Sequence, residues 1–214
     1  MQIVVLENEP SSRRGGQELS LYDVTQELAR RGHSITLLYT QPGNLLASYQ
    51  TFCQSTLQVS PYRLGQQPWL IQGVNTWKDL SQIAPDHNRI IYCNQYQDSL
   101  LGRLLAQLRG GKLVCHLRLP PPTKVGWQAG LGLKGAQRLM AVSHYTRQQW
   151  EATGFSQAPV DTVHNGINSQ TFGQPQLDKA TPAPAAGVAH PWPLDWLCRA
   201  TRPGEGAGNL NPGL

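Results

Sequence analysis

Residues able to do chemistry stand directly after runs of apolar, β-branched residues in this sequence. Gly15-Gly16 follows the run at residues 3–6 across a polar loop, Asn94 follows residues 89–93, and His116 closes residues 112–117 ahead of Arg118, the triplet Pro120-Pro121-Pro122 and Lys124. A glycine pair that opens a helix leaves backbone N–H groups free at the positive end of the helix, which suits a phosphate or an oxyanion. A histidine at the end of a strand, followed by a stiff loop, can donate a hydrogen bond or carry a proton. Arg118 and Lys124 can pair with an anionic group. Each feature also has a plain structural reading: a tight turn, a satisfied imidazole, solvated cations. Glu7, Glu9, Glu18 and Asp98 are the nearby carboxylates, and none has the spacing of a catalytic pair. The fingerprint G-x-G-x-x-G is absent, which argues against a nicotinamide or flavin enzyme.

The elements that must position these residues alternate in type. Continuous apolar runs at residues 3–6 and 35–39 suit strands covered on both faces, and Leu21, Val24 and Leu28 between them recur at helical spacing. Arg30-Arg31-Gly32 gives that helix cations at its negative end and a glycine to stop it. Further strands are expected at residues 56–59, 89–93, 112–117, 138–142 and 160–163, with helices at 74–83, 99–108 and 144–153. The alternation predicts a doubly wound, Rossmann-like α/β parallel sheet over about the first 165 residues. Ligands of such sheets bind beyond the carboxyl ends of the strands, here residues 7–16, 94–97, 116–124 and 143–144. Residues 39–70 are too irregular to assign.

From Gly173 onward the composition changes: 42 residues hold 7 Pro, 6 Gly and 7 Ala, with no apolar period. Such a segment is expected to stay without a packed structure. Eighteen Lys plus Arg against 13 Asp plus Glu give a net charge of +5, suited to anionic ligands or an acidic membrane face. Basic residues interleaved with aromatics are missing, so a nucleic-acid partner is not expected. Cys53, Cys93, Cys115 and Cys198 lack metal-ligand spacing and fit free thiols in a reducing cytoplasm. Met1 leads directly into a strand rather than a signal peptide, and no apolar stretch is long enough to span a bilayer, so any membrane contact is expected to be peripheral.

Two segments are similar to known ones. I-V-V-L-E followed by R-R-G-G-Q-E-L-S-L-Y-D-V-T-Q-E-L-A-R-R-G-H-S-I-T-L-L-Y, and M-A-V-S-H-Y-T-R-Q-Q-W-E-A-T-G-F followed by V-D-T-V-H-N-G-I-N-S-Q-T-F, resemble the N-terminal domain of family 4 glycosyltransferases of the two-Rossmann, GT-B type. The resemblance covers residues 1–172. It implies retaining transfer of a sugar from a nucleotide diphosphate sugar to an unidentified acceptor, with no other cofactor and no bound metal. It further implies that Gly15 and Gly16 form the donor-phosphate loop, that His116 sits catalytically near the transferred sugar, and that Asn165 and Gly166 lie at the hinge. Asn94, Arg118 and Lys124 are the acceptor-binding candidates. Asn168 stands where the family often has aspartate.

The family's second, donor-binding domain begins with a phrase such as Y-A-G-R-L-D-P-E-K-G, absent in this reading frame. One choice of synonymous codons for residues 197–213, read one base later, spells Y-A-G-R-L-D-P-E-K-G-L-E-T-L-T-R. A frameshift between residues 173 and 193 is therefore expected, with residues 173–214 out of frame and the half-enzyme inactive alone. A separate chain carrying the C-terminal domain would be its partner. The alternative reading is a non-catalytic Rossmann-like module that binds an anionic or carbohydrate ligand.

Overall fold

The computed structural model describes residues 1–62 and 68–166. The expected tail from Gly173, Cys198 within it, and Asn168 lie outside the described residues. Among the described residues the strands are β1 (Gln2–Glu7), β2 (Ser34–Tyr39), β3 (Ser55–Gln58), β4 (Ile90–Cys93), β5 (Lys112–Leu117), β6 (Arg138–Ala141) and β7 (Val160–Thr162). They form one sheet in the order β3-β2-β1-β4-β5-β6-β7, every neighbouring pair parallel. The helices are α1 (Gly16–Arg30), α2 (Leu46–Gln50), α3 (Trp69–Ser81), α4 (Ser99–Arg109), α5 (Trp127–Leu133) and α6 (His144–Glu151). The expected doubly wound α/β sheet is what the chain forms.

Strand side chains alternate between two layers, because successive Cβ atoms point to opposite faces. Ile3 and Val5 of β1 pack with Ile35, Leu37, Leu21 of α1 and Tyr49 of α2. Val4 and Leu6 face the other way, against Leu80 of α3, Leu101 and Leu105 of α4, and Leu133 of α5. Helix α4 lies close on that second face. A Cβ added at Gly102 would stand 2.6 Å from Cys93 Sγ and 2.7 Å from Leu113 Cδ1, so the glycine sets the approach. Cys53, Cys93 and Cys115 are free thiols.

Several expectations need correction. Helix α3 begins at Trp69, five residues before the expected start at Val74. The short helices α2 and α5 were not foreseen. Val24, expected on the inward stripe of α1, is 39% exposed, and Thr25 is buried instead, its hydroxyl donating to the Leu21 carbonyl at 2.8 Å. Among the described residues no helix is long and apolar enough to cross a membrane.

Candidate functional site

The strand order places the chain reversal between β1 and β4: β2 and β3 lie to one side, β4 to β7 to the other. Loops leaving β1 and β4 diverge there, which opens a crevice at the carboxyl ends. A cleft of about 280 Å³ occupies this position, lined from three sides by Gly15-Gly16, by Asn94 and by His116 with Arg118. Strand alternation explains the convergence. Val5, Tyr92 and Met140 belong to the α1 side of the sheet, so Glu7 and Asn94, two residues past the first two, project to that side at the strand ends. Val114 packs on that side too, and His116 and Arg118 follow it at intervals of two.

Gly15 caps α1 with φ 146° and ψ −168°, a backbone region that essentially only glycine occupies. Gly16 is the first helical residue, and a Cβ there would meet nothing within 4 Å. The pair therefore leaves an unobstructed approach to the N–H groups of the first turn of α1.

The cleft floor is a continuous hydrogen-bonded chain. Glu7 Oε1 accepts the backbone N–H of Asn8 at 2.8 Å, and Glu7 Oε2 accepts from Asn94 Nδ2 at 2.8 Å. Arg118 Nε donates to Asn94 Oδ1 at 2.7 Å, and Arg118 Nη1 donates to Ser20 Oγ at 3.0 Å and to Asn165 Oδ1 at 3.1 Å. Ser20 Oγ is also 3.3 Å from Asn165 Oδ1. The network ties β1, β4, β5, α1 and the segment after β7 together. Asn94 is fully buried with both ends of its amide engaged, and its contribution is to orient Arg118.

Burial governs the charges. It pushes the Glu7 carboxyl up to about 7, with Asp98 and Glu18 adding to the rise and the Asn94 hydrogen bond opposing it. His116 is lowered to about 3, first by burial and then by the neighbouring Arg118 charge, so the imidazole is neutral at physiological pH. Its Nδ1 lies 2.6 Å from Tyr92 OH, and burial raises that phenol to about 12. Two buried nitrogens here, His116 Nε2 and Arg118 Nη2, have no hydrogen-bond partner among the described residues. Buried polar atoms left unpaired are uncommon, and these two belong to residues that line the cleft.

The remaining candidates lie apart. Lys124 is exposed beyond the cleft lining, and Gly166 is exposed. Ser143 caps α6, accepting from Thr146 N at 3.1 Å, rather than facing the cleft. Trp150 Nε1 donates to the Leu119 carbonyl at 2.8 Å and so pins the loop that follows Arg118. Ser20, Tyr92 and Glu7 are the participants that motif reading missed or left unranked. Among the described residues no three His, Cys, Asp or Glu side chains gather closely enough to hold a metal ion.

The fold resembles those of several solved proteins. HepE of Anabaena, solved with UDP-glucose, is 16% identical with a TM-score of 0.60, the match covering 80% of this chain and 46% of that one. Sucrose-phosphate synthase from Thermosynechococcus elongatus is 14% identical with a TM-score of 0.55, covering 82% of this chain and 53% of that one. MurG of Acinetobacter baumannii is 13% identical with a TM-score of 0.50, covering 83% and 50%. At such identities the likeness is one of fold, and this chain spans about half the length of the proteins it matches. No curated protein matches the sequence. The model of Glycosyltransferase Family 4 matches residues 14–171, most of the chain and nearly all of its described part. The chain belongs to glycosyltransferase family 4.

Proposed function

We propose that this domain is the acceptor-side wall of a retaining glycosyltransferase site that uses a nucleotide diphosphate sugar. The observation that carries the reading is the meeting of the glycine-opened N-terminus of α1 with two buried, unpartnered nitrogens, His116 Nε2 and Arg118 Nη2, in one crevice. The N–H groups at Gly15-Gly16 donate to the diphosphate of the sugar nucleotide at the positive helix end. Tyr92 donates its hydroxyl proton to His116 Nδ1, which leaves Nε2 as an N–H donor toward a sugar hydroxyl. A neutral imidazole of this kind orients and does not protonate the leaving group. Arg118 faces an anionic portion of the acceptor, with Asn94 holding it in place, and Lys124, beyond the cleft, takes no part in that contact. Asn165-Gly166 is the hinge at the end of an N-terminal domain spanning residues 1–172.

Transfer requires a leaving nucleotide diphosphate and a cationic sugar to be stabilised in a water-excluding cleft. A donor-binding domain must supply the facing wall, from the same or a separate polypeptide. HepE was solved with UDP-glucose, so UDP and UDP-glucose are the first ligands to test. Calorimetric titration of the 214-residue chain is expected to give weak binding that Gly16→Ala diminishes. A transfer assay over a panel of nucleotide sugars is expected to give no product. Robust turnover would reject the half-site reading, and binding indifferent to Gly16→Ala would reject the phosphate cradle.

A further inference from the structure

Two histidines stand side by side at the carboxyl ends of β6 and β7, outside the cleft lining. His144 opens α6 just after β6, His164 lies just past β7, and both are exposed. Their ring centroids are 5.7 Å apart, with the planes at 74°. The backbone sets up this meeting. Strands β6 and β7 run parallel with Ala141 opposite Thr162, and the ladder continues where Val163 N–H donates to the Ala141 carbonyl at 2.8 Å. The two imidazoles leave that paired end from adjacent strands.

Each ring is tied through Nδ1 to the end of the other strand. His164 Nδ1 donates to the Val142 carbonyl at 3.1 Å, and His144 Nδ1 lies 3.3 Å from Thr162 Oγ1. A carbonyl only accepts, so the proton of a neutral His164 sits on Nδ1 and its Nε2 carries a lone pair. The Thr162 hydroxyl can accept from His144 Nδ1 in the same way. A hydrogen bond from one ring nitrogen to such an acceptor is what fixes the tautomer and orientation of metal-ligating imidazoles. The spacing agrees with a shared ion. With zinc about 2.0 Å from each nitrogen, two imidazoles at a tetrahedral angle place their ring centres roughly 5 Å apart. A shift of under about 1 Å in two exposed side chains reaches that geometry from the observed 5.7 Å.

We propose that His144 and His164 form a site for a late first-row divalent cation, zinc foremost, bound by the two Nε2 atoms with water in the remaining positions. Imidazole suits such ions, whereas magnesium favours oxygen ligands. Among the described residues no third His, Cys, Asp or Glu joins the pair. With roughly half the ligands of a structural zinc site, the expected Kd is on the order of 10 µM. The positive end of α6 opposes a cation, but Ser143 Oγ already accepts the Thr146 N–H at 3.1 Å and so occupies a donor of the first turn. The ion joins the turn before α6 to the segment after β7. His164 directly precedes Asn165, whose Oδ1 accepts from Arg118 Nη1 at 3.1 Å, so the ion also steadies one partner of the cleft floor.

The test is titration of the full, untagged 214-residue chain with Zn²⁺ at neutral pH, followed by calorimetry and by proton–nitrogen correlation spectra of the imidazoles. Zn²⁺ is expected to move the Nε2 resonances of His144 and His164 together while His164 Nδ1 stays protonated. His144→Gln and His164→Gln are each expected to weaken this binding at least ten-fold, and Thr162→Val, which removes only the hydroxyl behind His144, roughly ten-fold. His87→Gln, an exposed histidine before β4 at the opposite edge of the sheet, is expected to change nothing. Both ligand positions are exposed, and circular dichroism melts verify that the variants fold. Amide exchange of residues 163–166 is expected to slow when Zn²⁺ is added. Failure of Zn²⁺ to move these two rings overturns the proposal, as does equal Zn²⁺ affinity in the parent and both glutamine variants. Displacement of Zn²⁺ by an equal concentration of Mg²⁺ also overturns it. None of these outcomes depends on nucleotide binding in the cleft.

Discussion

Glu7→Gln probes the electrostatics of the cleft floor through a dependence on pH that the parent chain conceals. Burial raises the Glu7 carboxyl from 4.5 to about 7, and burial together with Arg118 lowers His116 from 6.5 to about 3. A carboxyl raised on folding contributes stability that is full below 4.5 and is lost as pH rises through about 7. A histidine lowered on folding behaves oppositely: the unfolded chain takes up the proton first, so stability is lost as pH falls from 6.5 toward 3. Between pH 4.5 and 6.5 these slopes, each about 1.4 kcal/mol per pH unit, have opposite sign. The parent chain should therefore be nearly flat across that interval. Removing the Glu7 titration unmasks the histidine, and relative to the parent the variant gains roughly 3 kcal/mol between about pH 4.5 and 7.5. Glu7 is 1% and His116 5% exposed, so solvent screening takes little from this figure. Urea unfolding of both chains at about one-unit pH intervals measures it, with stabilities extrapolated to water. At the acid end the variant should be no more stable than the parent with its carboxyl protonated, because the new amide meets the Asn94 donor. A difference between variant and parent that stays constant to within about 0.5 kcal/mol across the range would refute the reasoning.

Gly15→Ala should cost about 1–3 kcal/mol and lower Tm by roughly 3–10 °C, since alanine resists φ 146°. Gly16→Ala should leave Tm unchanged or slightly raised while weakening nucleotide binding, and a matching loss of stability at both positions would count against the geometry of this turn. Arg118→Lys should destabilise by about 2–4 kcal/mol in urea, because one ammonium cannot reach Asn94, Ser20 and Asn165 as the planar guanidinium does. Asn165→Ala, on an exposed residue, should cost less than about 0.5 kcal/mol; equal losses would mean that Arg118 is not the anchor. Nucleotide sequencing downstream of codon 172 tests the shifted reading of the tail, which an intact frame without the family phrase would end.

The fold was legible where burial and sequence pattern agree. Strands β1, β2 and β5 came within a residue of their bounds because a parallel strand covered on both faces is apolar throughout. Helix α4 was equally plain from its leucines. Helix α3 was not, since its apolar stripe faces outward and Leu70 and Ile71 give no inward period to extend. Helix α5 holds two glycines, a poor helical signal, and their reason is tertiary: a Cβ at Gly130 would come within 3.2 Å of the Phe155 ring. At α1 the period pointed Val24 inward, but the core takes Thr25, whose hydroxyl its own helix satisfies.

The site divides along the same line. That Glu7, Asn94, His116 and Arg118 share one side of the sheet follows from two-residue alternation once the strands are known, so their convergence was within reach of the sequence. Their partners were not. Ser20 and Asn165 are 145 positions apart and meet only beside Arg118, and Tyr92 reaches His116 across adjacent strands. These unseen contacts decide the chemistry. Arg118, 8% exposed, is held in a buried position by hydrogen bonds that Asn94, Ser20 and Asn165 accept, and its charge adds to the burial that keeps His116 neutral. A lysine there would leave acceptors unfilled, and a neutral residue would relax the histidine toward its ordinary value. The motif supplied the imidazole; burial first, and the Arg118 charge held by this network second, keep it neutral.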